Sequence, residues 1–247
     1  MTLIIAALLL TGFLMPSPAT AEETEPHSQE IHIYQKDVAG NNAQETVKLL
    51  GTSLGSDSNY NTIIKTHITN TEGDDWEISY EGGYKPYIQF YDLNHNNVND
   101  LFYQSETGNG DSHHYHLHTF ENGQLTEMKL PEQQSIKAEF RDDFQIAVQI
   151  DYKQEPSLIN VADKASAYIR KGIYKENGDV KSDASPIIAP IARFEPVQVS
   201  DSQGYGLKSR QQISGTDRSD KLGTIETLWY YENGEWIILD TDWKPSD

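Results

Sequence analysis

Along this chain, apolar and polar positions alternate with a period of two far more often than they recur every three or four residues. Glu30-Ile31-His32-Ile33-Tyr34, Thr62 to Ile68, Trp76 to Tyr80 and Tyr87 to Phe90 alternate or are rich in β-branched and aromatic residues. That pattern predicts half-buried strands. The same reading places strands at 113–120, 144–150, 207–213, 223–231 and 236–240. One helix is predicted: Asp163 suits an N-cap, residues 164–171 are helix-permissive, and Gly172 ends the run. The segment 43–50 (AQETVKLL) is ambiguous, because strong helix formers compete there with its shortness and its strand neighbours. The expected fold class is all-β, mainly antiparallel, with one short helix.

Repetition refines that expectation. The turn texts FENGQL at 120–125, KENGDV at 175–180 and YENGEW at 231–236 place Asn122, Asn177 and Asn233 at spacings of 55 and 56 residues. Asn-Gly suits a type I′ hairpin turn, in which both central residues need positive φ. Near 72–73, TNTEGDDW supplies a related Glu-Gly turn before a tryptophan-led strand. The expectation is about four repeats of ~55 residues in a propeller-like arrangement, with 22–247 a single β-repeat domain.

The start of the chain reads differently. Residues 2–14 carry no charge, and Ala19-Thr20-Ala21 forms an A-x-A site before Glu22-Glu23. This is the layout of a secretory signal peptide over 1–21, although its usual basic n-region is missing. The apolar run is too short to span a bilayer. An extracellular location, secreted or associated with the cell wall, is expected.

With 19 basic and 38 acidic residues the net charge is −19, which opposes nucleic acid and anionic membrane surfaces as partners. There is no cysteine, which removes disulfides, Cys-based zinc sites and a cysteine nucleophile.

The chemistry singled out by spacing lies in DLNHNNVND, 92–100. Positions one, three, five and nine are Asp92, Asn94, Asn96 and Asp100, all bearing side-chain oxygens. Ca²⁺ takes six or more oxygen ligands, and this spacing lets one tight loop wrap an ion, Val98 adding its carbonyl. Position six, Asn97, must accept a left-handed backbone, which Asn tolerates better than most residues. An EF-hand would require Glu where Tyr103 stands, and a helix where a strand is expected. A strand–loop–strand site with two carboxylates implies weak binding, near the 10⁻⁴–10⁻³ M of extracellular calcium modules. The alternative is a turn whose Asp and Asn side chains cap their own backbone.

The frame recurs 55 residues earlier as DVAGNNAQE, where Asp37, Asn41 and Glu45 keep positions one, five and nine and Ala39 has lost its oxygen. A third copy, QVSDSQGYG at 198–206, has Gln198, Ser200, Ser202 and Gly206 on the frame and is expected to be metal-free.

These loops, the stretch 80–105 and the C-terminal run 204–236 resemble secreted proteins of Gram-positive bacteria with VCBS or FG-GAP type repeats. The resemblance implies calcium at strand turns through D-x-[DN]-x-[DN]-G-x-x-D loops, and repeats forming propeller blades. Carried onto this sequence, it supports Asp92, Asn94, Asn96 and Asp100, and less completely Asp37, Asn41 and Glu45. It implies no reaction.

Three further patterns compete. HHYHLH at 113–118 would put His114, His116 and His118 on one strand face, a possible Zn²⁺, Cu²⁺ or Ni²⁺ site with His95 near it. Gly51-Thr52-Ser53-Leu54-Gly55 matches G-x-S-x-G, but a nucleophile elbow needs a helix next, and a polar loop and strand follow. The 14 Tyr and four Trp residues pack in cores by default; exposed, they would suit a cell-wall glycan. The function expected from the sequence is a non-enzymatic binding or structural protein carrying calcium, against the alternatives of an extracellular hydrolase and a glycan binder.

Overall fold

The computed structural model describes residues 26–55, 58–108, 112–150 and 155–246. The expected signal peptide, 1–21, lies outside the described residues. The described residues are mainly β and antiparallel, with a single short α-helix among them. Strands β1 (Pro26–Lys36), β2 (Glu45–Leu54), β3 (Tyr60–Thr69), β4 (Asp75–Tyr80), β5 (Gly83–Tyr91), β6 (Asp100–Glu106), β7 (His113–Glu121) and β8 (Gln124–Met128) form one sheet. Its order is β1-β2-β3-β5-β6-β7-β8, with β4 also paired to β3. Strands β9 (Lys137–Arg141), β10 (Gln145–Gln149) and β11 (Ser157–Asn160) make a second sheet. A 3-10 turn and helix α1 (Ala165–Arg170) follow it. Strands β12 (Ile187–Ser200), β13 (Gly204–Ser214), β14 (Lys221–Glu232) and β15 (Glu235–Pro245) form the third sheet, in that order.

Of the ambiguous segment 43–50, residues 45–50 lie in strand β2. Hydrogen bonding to β1 on one side and β3 on the other overrides its helix propensity, and Glu45, Val47 and Leu49 then point inward at period two. The predicted helix forms, one residue shorter at each end. Asp163 makes no side-chain cap, and Gly172, at φ 76°, sits just beyond the end. The longest strand, β12, escapes the sequence pattern because it contains Pro190 and Pro196. Proline is tolerated there because β12 is an edge strand with register shifts on both sides of Ile191.

The expectation of four equal repeats is corrected by the strand grouping: the described strands form open sheets of eight, three and four strands, not blades of one period. Asn122-Gly123 and Asn233-Gly234 do have positive φ at both positions and close the β7–β8 and β14–β15 hairpins. At Asn177-Gly178 only the glycine is left-handed, at 90°, and the turn closes an isolated bridge between Tyr174 and Val180. Asn-Gly specifies a tight turn locally; its spacing does not dictate which strands pair beyond it.

Three cores hold the sheets. The eight-stranded sheet folds over onto itself, so that Tyr80 of β4 stacks at 3.7 Å on Tyr103 of β6 and Trp76 meets Phe120 edge-on at 5.0 Å. Val47, Leu49, Ile64 and Leu101 complete that core. A second core lies wholly within the C-terminal part, where Phe140, Ile146 and Tyr168 pack against Ile213 and Ile225. The third is the seam between the two parts, Leu93, Phe102 and Leu117 on one side and Phe194, Leu207 and Trp229 on the other.

Strand β6 serves two of these cores at once. Leu101 and Tyr103 face the folded sheet and Phe102 faces the seam, all three fully buried. Removing the Phe102 ring deletes apolar surface at the point where both parts meet. We expect Phe102→Ala to lower unfolding stability by about 3–5 kcal/mol in urea titration. A loss below ~1 kcal/mol would show that the seam contributes little.

Candidate functional site

The two acidic loops share most of their hydrogen bonds, differing in the first amide that position one accepts, that of position five in 92–100 and of position four in 37–45. In 92–100, Asp92 accepts the amides of Asn96 at 3.0 Å and Asn97 at 2.9 Å on its two oxygens. In 37–45, Asp37 accepts those of Gly40 at 2.8 Å and Asn42 at 2.9 Å. Position five accepts the amide of position seven in both, Asn96 from Val98 and Asn41 from Ala43, each at 2.8 Å. Position nine closes both frames: Asp100 Oδ2 accepts Leu93 and Asn94, and Glu45 Oε2 accepts Val38 and Ala39. Positions four and six are left-handed in both, His95 and Asn97 at 62° and 66°, Gly40 and Asn42 at 72° and 61°. Position two, Leu93 or Val38, is a fully buried aliphatic plug that pins each loop to a core. That plug is legible in the sequence as an aliphatic residue at the second place of each frame.

The position-nine side chains are the unusual feature. Asp100 and Glu45 are fully buried, and in each the second oxygen, Asp100 Oδ1 and Glu45 Oε1, has no hydrogen bond within the protein. Burial pushes the Asp100 carboxyl up to about 6, with Asp92 adding to the rise, against the opposing pull of the two loop amides and of the Thr119 hydroxyl, which stands near the carboxyl without hydrogen-bond geometry to it. Asn94 turns its amide nitrogen inward to Thr119 Oγ1 at 2.9 Å, which leaves its oxygen on the loop side accepting from Asn96 at 3.1 Å. The donor set is thus all oxygen, two carboxylates and two amides around one loop, which suits a hard cation. No group of three or more His, Asp or Glu side chains positioned to hold a metal occurs among the described residues. An ion in 92–100 would therefore depend on amide and carbonyl oxygens as well.

The loops also touch one another and the C-terminal part. Asn99 Nδ2 donates to the Asp37 carbonyl at 3.3 Å, and a Cβ on Gly40 would stand 2.5 Å from Val98 Cγ2. On the far side, His95 stacks on Tyr230 at 4.3 Å, and Tyr230 donates its hydroxyl to the Gln203 carbonyl. That carbonyl belongs to the third frame, 198–206, which is the β12–β13 turn. Its oxygens are engaged locally: Gln198 donates to Asp201, and Ser200 Oγ accepts the Gln203 amide.

The histidine run forms a different site from the one the spacing suggested. His116 and His118 do share a face, their rings 6.2 Å apart. Both His116 nitrogens are taken by carboxylates, Nδ1 by Glu127 at 2.9 Å and Nε2 by Glu81 at 2.7 Å. Those two acids hold the His116 pKa above its ordinary value despite partial burial. His118 is buried instead, its Nδ1 is without a partner, and burial lowers its pKa to about 4. His95 is not drawn into this group, since it packs on Tyr230. The arrangement among His114, His116 and His118 is an ion-paired imidazole beside a buried neutral one, not three rings converging on an ion. Glu81 and Glu127 carry no motif in the sequence; only the fold brings them to His116.

Ser53 lies inside β2, 2% exposed, with its hydroxyl donating to the Gly55 carbonyl at 3.1 Å. The next element is strand β3, so the G-x-S-x-G string lacks the strand-to-helix turn an esterase needs.

Residues 134–244 match the family described as the YybI C-terminal domain. The matched stretch coincides with the part of the chain that contains the second core in full. No curated protein and no solved structure matches the chain.

The buried His118 makes stability depend on pH with a definite sign. Its folded-state pKa lies near 4, below the ordinary 6.5, so the unfolded chain takes the proton first. This contribution is complete above about pH 6.5 and is lost as pH falls toward 4. Relative to the parent, His118→Phe should reduce the stability lost between pH 7 and pH 4.5 by about 2–3 kcal/mol, read by urea unfolding at both values. An unchanged acid dependence would assign the loss to other groups.

Proposed function

We propose that the protein is a secreted or cell-surface binding or structural protein, without enzymatic activity, that takes up Ca²⁺ in the 92–100 loop. Asp92, Asn94, Asn96 and Asp100 would hold the ion with the carbonyl of Val98. A bound ion would supply the positive charge that two converging carboxylates lack. The observation that carries this reading is the repeated frame itself: in two loops 55 residues apart in sequence the position-nine carboxylate gathers the amides of positions two and three, and each leaves one oxygen of that fully buried carboxylate without a partner. An unsatisfied buried acceptor costs roughly 1–3 kcal/mol, and a cation or a water removes that cost. The carboxylate oxygens already accepting amides retain lone pairs for a ligand. Loop 37–45, without an oxygen at Ala39, is the weaker of the two.

The hydrolase alternative gains no comparable support, since Ser53 is buried in a strand and His116 is consumed by two carboxylates. If the dissociation constant lies between about 0.1 and 1 mM, then 1 mM Ca²⁺ adds ~0.4–1.4 kcal/mol to stability. For a domain of this size that raises the melting temperature by about 1–5 °C. Thermal melts in 1 mM CaCl₂ against EDTA should show that rise for the parent chain and not for Asp92→Ala. A parent protein indifferent to calcium would leave the loops as self-capped turns and end the reading.

A further inference from the structure

The two Asn-Gly hairpins that share a local text, 120–125 and 231–236, lie beside one another in the fold. Between them is an open cleft of about 710 Å³, bounded by the β7–β8 turn and the segment after it on one side and by the β14–β15 turn on the other. Its aromatic wall is tied to both sides of the cleft. Trp236 donates its indole N–H to the Lys129 carbonyl at 2.8 Å, and Tyr231 meets the indole edge-on at 5.2 Å. Met128 and Trp229, both buried, form the floor. The rim is acidic: Glu121, Glu127, Glu132 and Glu235 line it against the single cation Lys129. Glu127 is engaged with His116, whereas Glu121, Glu132 and Glu235 form no ion pair among the described residues.

Two further observations define what fits. Strand β15 runs away from Trp236 as the last strand of its sheet, so one side of its backbone pairs with no strand among the described residues. Along it Ile238 and Leu239 are 45% and 39% exposed, and Asp240 follows. The charge of the chain is also uneven. Residues 22–133, of which Glu121 and the stretch 126–132 line the other wall of the cleft, hold five basic and 19 acidic residues, against 14 and 19 in 134–247.

We propose that this cleft and the adjoining β15 edge bind an extended polypeptide segment rich in lysine or arginine. Its backbone adds to the free edge of β15, its apolar side chains cover Ile238 and Leu239, and its cations meet the glutamate rim over Tyr231 and Trp236. The field of the acidic wall draws such a segment in. A neutral sugar would gain only the stacking surface and would be indifferent to the carboxylates, and an anionic polymer would be repelled. The proposal does not rest on calcium, and its test is run in EDTA.

The full chain from residue 22 is titrated, by calorimetry and tryptophan fluorescence, with a ten-residue peptide of alternating lysine and valine. The same peptide with glutamate in place of lysine, and a neutral chitin hexasaccharide, are the other arms. We expect the lysine peptide alone to bind, with affinity falling at least about tenfold between 50 and 500 mM NaCl. The exposed pair Glu121→Gln with Glu235→Gln should weaken it by about tenfold or more, and Trp236→Ala should abolish the fluorescence change. Trp236→Phe, which keeps the wall filled, should retain most of the binding and so separates loss of contact from loss of fold. Absence of peptide binding, or binding insensitive to salt and to the glutamine pair, overturns the proposal. Binding of the hexasaccharide instead, lost in Trp236→Ala, would make the cleft a glycan site.

Discussion

Burial of β6 on both of its faces is the constraint from which the rest of the structure follows. Leu101 and Tyr103 face the folded N-terminal sheet while Phe102 faces the seam with the C-terminal part. A strand clamped between two cores cannot slip by one residue without exchanging every side chain between them. Its first residue, Asp100, is therefore delivered to a fixed place, where its carboxylate gathers the amides of Leu93 and Asn94 and shapes the whole loop before it. The loop is then an extension of the core rather than an appendage. That is why its second residue, Leu93, is buried in the same seam.

This anchoring explains how chemistry legible in nine residues becomes a shared feature of distant parts of the chain. The frame at 37–45 is held in the same manner, with Val38 as plug and Glu45 as closing carboxylate. The two frames meet through Asn99 and the Asp37 carbonyl. His95, which must adopt positive φ to let the loop close, thereby points its ring at Tyr230 of the C-terminal sheet. An ion in 92–100 would thus sit where three segments converge, and ordering of that loop would be felt on both sides of the seam.

The electrostatics of the histidine run show how far environment outweighs residue type. His116 and His118 are two positions apart on one strand, yet their pKa values move in opposite directions. One ring lies between Glu81, just after β4, and Glu127 of β8, which favour its charged form; the other is enclosed by Tyr80 and the sheet, where burial disfavours the charge. A run of histidines read only as spacing suggests shared ligation. Once each ring has its own surroundings, the common chemistry disappears.

The sequence by itself determined the local texts: the alternation that makes strands, Asn-Gly at two tight hairpins, and the Asp-Asn frame whose side chains cap their own loop. These are set by residues within about ten positions of one another, so neighbours in sequence suffice. Tertiary structure alone decided what the texts are next to. It turned most of the helix-prone 43–50 into strand by pairing 46–50 on both sides, admitted two prolines to β12 by placing it at an edge, and grouped strands into sheets of eight, three and four in place of the period of 55. It also brought Glu81 and Glu127 to His116 and set two hairpins more than a hundred residues apart on either side of one acidic, aromatic cleft. Such pairings follow from burying whole faces at once, a condition that no short window of residues contains.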